Sequence, residues 1–263
     1  MELTYLLRRD RWLTIGGLAL VVAVSGAYVL RGAGMDMSAL DMTRMARDMQ
    51  MPQPEWTFRF AVLMFAMWWL MMTAMMLPSA TPMLLLVAAL NRRASPGRQP
   101  YGATALFAAG YLVAWAGFSI VAVAAQVWLT AQGTLSSMLH VGGGAFAGGM
   151  LLAAGLWQLT PLKRACLRHC RSPVRFLATH RRGGALGALA MGAEHGAYCV
   201  GCCWMMMALL FVGGIMNLYW IAGLATYALA EKVLPGGERV ARIAGVILVA
   251  SGLGLLLSVA LRA

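Results

Sequence analysis

Stretches of about 20 consecutive apolar residues recur along this chain, and they constrain its fold more than any other feature. At 1.5 Å of rise per residue, such a helical run is as long as the hydrocarbon layer is thick, roughly 30 Å. In lipid, every backbone N–H and C=O must pair within its own helix or within a closed barrel. Nothing here alternates with period two, so the expected fold class is all-α, a polytopic transmembrane helical bundle. Apolar runs at 12–30, 57–89, 102–129, 140–161, 186–212, 217–234 and 240–261 predict about seven spans in a single integral membrane domain, 1–263. The first run follows Arg8, Arg9 and Arg11 as a signal peptide would. It is long for one and lacks a small-x-small cleavage site, so it is expected to stay as a span.

A formal charge of +12 would suggest nucleic acid in a soluble protein, but these basic residues sit in the connections between apolar runs. Arg92, Arg93 and Arg98, then Lys163 through Arg182, then Lys232 and Arg239 fall on one side, shared with the N-terminus. Positive-inside makes that side cytoplasmic and puts the C-terminus outside, with a basic cytoplasmic loop at 162–184. None of the five cysteines lies in an outer loop, so structural disulfides are not expected. Pro78 and Pro82 predict a kink or local unwinding in the second span. Gly142 to Gly144, Gly148 and Gly149 predict a small-residue packing face on the fourth. In the first outer loop, Ser38 and Asp41 form a capping box that opens a short Met-rich helix at about 38–50, carrying Met42, Met45 and Met49. Its apolar face suits the membrane interface.

Methionine is unevenly spread: thirteen of 21 lie between positions 35 and 83. In the second span Met64, Met67, Met71 and Met75 form one helical stripe, and Met72 with Met76 forms another beside it. Methionine fills cores for its flexibility alone, yet a thioether is also a soft, neutral donor that suits copper(I) and survives in lipid. The fifth span contains Glu194-His195-Gly-Ala-Tyr198-Cys199-Val-Gly-Cys202-Cys203-Trp204-Met205-Met206-Met207. At about 100° per residue, His195, Cys199, Cys202 and Met206 fall on one helix face, with Cys203 on its flank and Glu194 on its other side. Imidazole, thiol and thioether are the ligand set of copper(I), with zinc(II) the harder and less favoured competitor. Gly196 and Gly201 would admit a neighbouring helix closely enough to complete a site. An ionisable Glu-His pair at membrane depth also points to function.

With Trp69-Leu-Met-Met-Thr-Ala-Met-Met-Leu-Pro-Ser in one span and Glu194-His-Gly-Ala-Tyr-Cys-Val-Gly-Cys-Cys-Trp in another, the chain resembles a bacterial family of predicted metal-binding integral membrane proteins. The resemblance covers most of the chain and implies a membrane metal site in the bacterial inner membrane. It carries over to Met72, Met75, Met76 and Pro78, and to His195, Cys199, Cys202 and Cys203.

The expected metal site therefore comprises Met67, Met71, Met72, Met75, Met76, Glu194, His195, Cys199, Cys202, Cys203 and Met206. Cys166, His169 and Cys170 offer a small relay in the basic loop, although neighbouring arginines disfavour a bound cation there. Glu231 and Lys232 read as a snorkelling pair at a helix end, and His140 and His180 as interfacial residues. The function expected is copper(I) binding with transport or delivery, without enzymatic chemistry, exchanging the ion with a periplasmic or cytoplasmic metal carrier. Two other readings are a thiol-disulfide oxidoreductase using Cys199 and Cys202, and a non-transporting assembly or anchoring partner of a copper oxidase. The oxidoreductase reading leaves the methionines unexplained.

Overall fold

The structure, a computed structural model, describes residues 2–35, 37–44, 55–94, 101–134 and 143–262. These form α1 (Glu2–Leu30), α2 (Ala39–Arg44), α3 (Phe58–Ala94), α4 (Tyr101–Ala131), α5 (Gly144–Leu159), α6 (Pro161–Arg171), α7 (Pro173–His180), α8 (Gly184–Ala208), α9 (Leu210–Gly213), α10 (Leu218–Val233) and α11 (Gly237–Ala260). No strand occurs among the described residues. Five helices are long and apolar enough to cross a membrane: α1, α3, α4, α8 continued by α9, and α11. A sixth is counted if α5 and α6 are taken as one broken span.

Two of the seven expected spans, the fourth and the sixth, are helices of 16 residues whose ends are set by local chemistry. After Leu159 the chain bends by 64° into α6. Thr160 is extended there, its hydroxyl accepts from the Lys163 N–H, and Pro161 begins the next helix without a donor to lose. α10 is only 16 residues long. The Asn217 side chain caps its start by accepting from the Tyr219 N–H at 3.0 Å, and Pro235 follows its end. Each 16-residue helix reaches about 24 Å, against about 55 Å for the 37 residues of α3. α6 thus crosses the bundle where its shorter members stop.

The unwinding expected at Pro78 and Pro82 does not occur, because α3 runs on through both prolines. Hydroxyl donors serve the carbonyls of this turn: Ser79 Oγ and Tyr111 OH both donate to Met76 O, at 2.7 and 3.2 Å, and Thr81 Oγ1 donates to Leu77 O at 3.3 Å. The Ser38 cap is present, accepting from the Asp41 N–H at 3.2 Å, and Thr43 ties α2 to α10 by accepting from the Leu218 N–H at 3.0 Å. The remainder of that Met-rich helix, with Met45 and Met49, lies outside the described residues, as do Gly142 and His140. The small-residue face on α5 does pack a helix: Gly148 and Gly155 oppose Gly252 and Gly245 of α11. Gly149 faces open space.

Across the bundle, α4 and α8 touch backbone to backbone. A Cβ on Gly192 would stand 2.7 Å from the carbonyl carbon of Phe107, one on Gly110 would stand 2.7 Å from the Ala193 nitrogen, and one on Gly196 would meet Ala114 Cβ at 2.6 Å. At the far end, Arg92 forms a buried ion pair with Asp10 that Tyr101 joins at 2.7 Å, clasping α1, α3 and α4.

Gly192→Ala should therefore lower stability by about 1–3 kcal/mol through overpacking, read as an earlier thermal transition in detergent. Gly117→Ala, on a part of α4 with nothing within 4 Å of the added methyl, should leave that transition unchanged or slightly raised.

Candidate metal centre

The backbone contact with α4 sets how α8 is rolled, and thereby where its thiol face points. Cys199, Cys202, Cys203, Met206 and Met207 are all buried, and so are Met64, Met67, Met71, Met72, Met75 and Met76 on α3. The two helices run antiparallel: Trp68 lies against Phe211 at 5.3 Å, while Met76 and Cys199 meet further along. Met64 to Met76 covers about 18 Å of α3, and His195 to Met206 about 16 Å of α8. The two motifs predicted separately therefore share one stretch of the core.

Their meeting point is a side chain read from the sequence as snorkelling. Lys232 is instead buried, with Nζ 2.9 Å from Cys199 Sγ, 3.1 Å from Ser79 Oγ and 3.8 Å from Met76 Sδ. Glu231 is buried too, and pairs with Lys163 of α6, which also bonds Gln158. Neighbours on a helix point about 100° apart, so Glu231 faces α6 while Lys232 faces α3 and α8. Both are held inside because α6 folds over this end of α10, where Arg171 donates to the carbonyls of Glu231 and Leu234 at 2.6 and 2.8 Å. A buried charge persists only when polar partners hold it: Lys163 is ion-paired with Glu231, and Lys232 is hydrogen-bonded to Cys199 and Ser79.

The basic loop supplies a second surprise. Folded as α6, it brings Cys170 Sγ to 4.0 Å from Cys202 Sγ, and sets Cys166 against Gly201, where an added Cβ would meet its sulfur at 3.0 Å. Gly196 and Gly201 thus admit neighbouring helices as expected, α4 and α6 respectively. Tyr111 OH lies 3.1 Å from Cys199 Sγ, while Cys202 and Cys203 both donate to the Cys199 carbonyl, at 3.1 and 2.8 Å. All five cysteines are free thiols.

His195 is buried among aromatic rings, 6.0 Å from Phe107, 5.9 Å from Tyr111 and 5.3 Å from Phe176. Its Nδ1 is buried and without a hydrogen-bond partner. Glu194 points elsewhere, 3.3 Å from both His180 and Arg182 on a partly exposed side of α8. Among the described residues no group of three or more His, Cys, Asp or Glu side chains is arranged around a metal position. What the core offers is a row of sulfurs, two thiols from different helices and an unpartnered imidazole nitrogen. Such a set suits a soft monovalent cation and lacks the carboxylates a hard one needs.

Over residues 65–255, which include both motifs, Cys170 and Lys232, the chain matches a protein-family model described as PpoB2, copper chaperone. The chain belongs to this copper chaperone family. No curated protein and no solved structure matches it. The family agrees with the metal-binding resemblance and makes copper the relevant metal. The copper chaperone's matched region begins within the methionine stripe of α3 and ends within α11.

From the sequence, Lys232, Lys163 and Cys170 were the residues missed or undervalued. The available signal was a Glu-Lys pair flanked by apolar residues, which a snorkelling explanation absorbed too readily. Removing one member of the buried Lys163–Glu231 pair should cost about 3–5 kcal/mol, because it strands the other charge. Lys163→Met should show this as a lower unfolding midpoint, and the double replacement Lys163→Met with Glu231→Met should recover most of it.

Proposed function

We propose that the protein binds copper(I) at the junction of α3, α8 and α10 and passes it along the α3–α8 sulfur row, as a carrier or permease of the bacterial inner membrane. The observation that carries this reading is the convergence of Met76 and Cys199 on one buried cation, the Lys232 ammonium. A pocket that holds an ammonium against a thiol and a thioether has the size and charge preference for a soft monovalent ion. Copper(I) would take Cys199 and Cys202 as thiolates, their two protons leaving to solvent, together with Met76, with Cys203 and His195 flanking; the Lys232 ammonium would then offset the negative charge of the bis-thiolate complex.

Met64, Met67, Met71, Met72, Met75 and Met206 extend the path toward the end where α2 lies. Each thioether is neutral, so an ion moving among them never becomes trapped by a full counter-charge. Positive-inside places the arginine-rich end, with α6 and α7, in the cytoplasm. The thiol centre then stands nearer the cytoplasmic end and the methionine row nearer the outer end. This gradient from neutral to anionic donors favours uptake over export. Glu194 drops out of the ligand set, because His180 and Arg182 already hold its carboxylate. Zinc(II) loses its best oxygen donor with it. No chemical conversion is part of this reading, and the protein acts as a carrier rather than an enzyme.

The test is copper(I) binding by the full chain in detergent, under anaerobic reducing conditions, in competition with a chromogenic copper(I) chelator. Cys199→Ser with Cys202→Ser should lower the bound copper, and Met76→Leu should weaken affinity about tenfold, which is 1.4 kcal/mol. Unchanged stoichiometry in the double cysteine variant would sink the proposal.

A further inference from the structure

α6 and α7 share a cavity of about 210 Å³ lined by Arg168, His169, Ser172, Arg175, Phe176 and Thr179. Arg168 and Arg175 are exposed, and neither meets a carboxylate among the described residues. The ion pairs found there use Asp10, Glu194 and Glu231 with other partners. Guanidinium groups lining a cavity recruit planar anions, carboxylates above all, through paired N–H donors.

His169 gives this cavity a second property. Its ring stacks on Tyr198 of α8, with centroids 4.2 Å apart and planes 4° apart, which fixes its position. Its Nδ1 lies 2.9 Å from the Ala165 carbonyl and donates to it, and Nε2 has no partner among the described residues. The next residue, Cys170, is the thiol that stands 4.0 Å from Cys202. The cavity is therefore an anion-attracting mouth with a free imidazole nitrogen, one residue along the helix from the thiol centre.

We propose that this cavity docks a small anionic thiol that carries copper(I), and that the ion crosses from it to Cys170 and Cys202. The inference rests on the copper-carrier reading above and names the partner class for that centre. A copper(I) ion held by two thiolates is itself anionic, and carboxylates on the carrier add to that charge. Arg168 and Arg175 bind those carboxylates, while His169 Nε2 offers the metal its first new ligand. In the exchange, two carrier Cu–S bonds break and Cu–S bonds to Cys170 and Cys202 form. The thiol protons of the two cysteines pass to the departing carrier thiolates. Copper stays in the +1 state and no electron moves.

The experiment compares the copper(I) complex of glutathione, whose carboxylates are free, with that of glutathione diethyl ester, which has the same thiol and no carboxylate. Transfer to the full chain is timed by rapid gel filtration and metal analysis. The wild type should take copper about tenfold faster from the acidic carrier, with the advantage shrinking as salt is raised. Arg168→Gln with Arg175→Gln should erase that advantage, leaving the ester rate and the final copper content unchanged. Equal rates from both carriers in the wild type, or a double variant slowed equally with both, would overturn the proposal. So would an intact advantage in a double variant that has lost only bound anionic phospholipid, since a lipid headgroup would then be the occupant. Calorimetry with metal-free glutathione reads the cavity alone: binding lost in the double variant supports the dock even if the thiol centre proves to take no copper, and absent binding removes it while leaving the centre intact.

Discussion

The contact on which the rest of this molecule depends is the backbone approach of α4 to α8 at Gly110, Gly192 and Gly196. Lipid offers no hydrophobic drive to pull helices together, so close packing over small residues must supply the attraction. With α4 seated on that side of α8, Cys199 lies between Tyr111 of α4 and Lys232 of α10, and Cys202 faces Cys170 of α6. Tyr111 sits at the seam and reaches both motifs, bonding the Met76 carbonyl and lying beside Cys199. The thiol centre thus depends on glycines one turn away on α8, which let α4 approach so closely that its Tyr111 touches both Gly196 and Cys199.

Charge inside the bundle follows a second rule. Lys163, Glu231 and Lys232 are all buried at the level where α5 and α10 end, and each has a partner from another helix. Ion pairs in such surroundings contribute little net stability but penalise any arrangement that separates them. They fix α6 across the end of the sulfur row and so hold Cys170 beside Cys202. The same fold-back turns Arg168 of α6 and Arg175 of α7 outward, where they line a cavity. In the proposed function, the soft-metal centre and the dock for an anionic carrier lie on the two sides of this one short segment.

For a copper chaperone this arrangement reconciles two needs. The ion must be held tightly enough to be captured and loosely enough to be passed on. In the proposed path the thioethers along α3 would provide weak, neutral sites and the thiols a stronger one, with the Lys232 ammonium offsetting the charge of the metal-bound thiolates. The methionines are buried on every described turn of the row.

The apolar runs alone determined an all-α membrane fold, because a backbone in lipid has no other means of pairing its polar groups within one segment. Residue spacing alone also determined which side chains share a helix face, and chemistry alone marked sulfur and imidazole as soft donors, so the α3 and α8 motifs were legible without coordinates. Two helix ends were legible as well: the runs expected to end near 161 and to begin at 217 end at Leu159 and begin at Leu218, where Thr160-Pro161 and Asn217 supply the caps. Only the tertiary structure decided that Lys232 faces Cys199 while its neighbour Glu231 faces Lys163, that Cys170 leaves a basic loop to join Cys202, and that Glu194 turns away to His180 and Arg182. Each of these depends on which helix lies alongside, and sequence spacing carries the angle between residues on one helix but not the identity of the helix they meet.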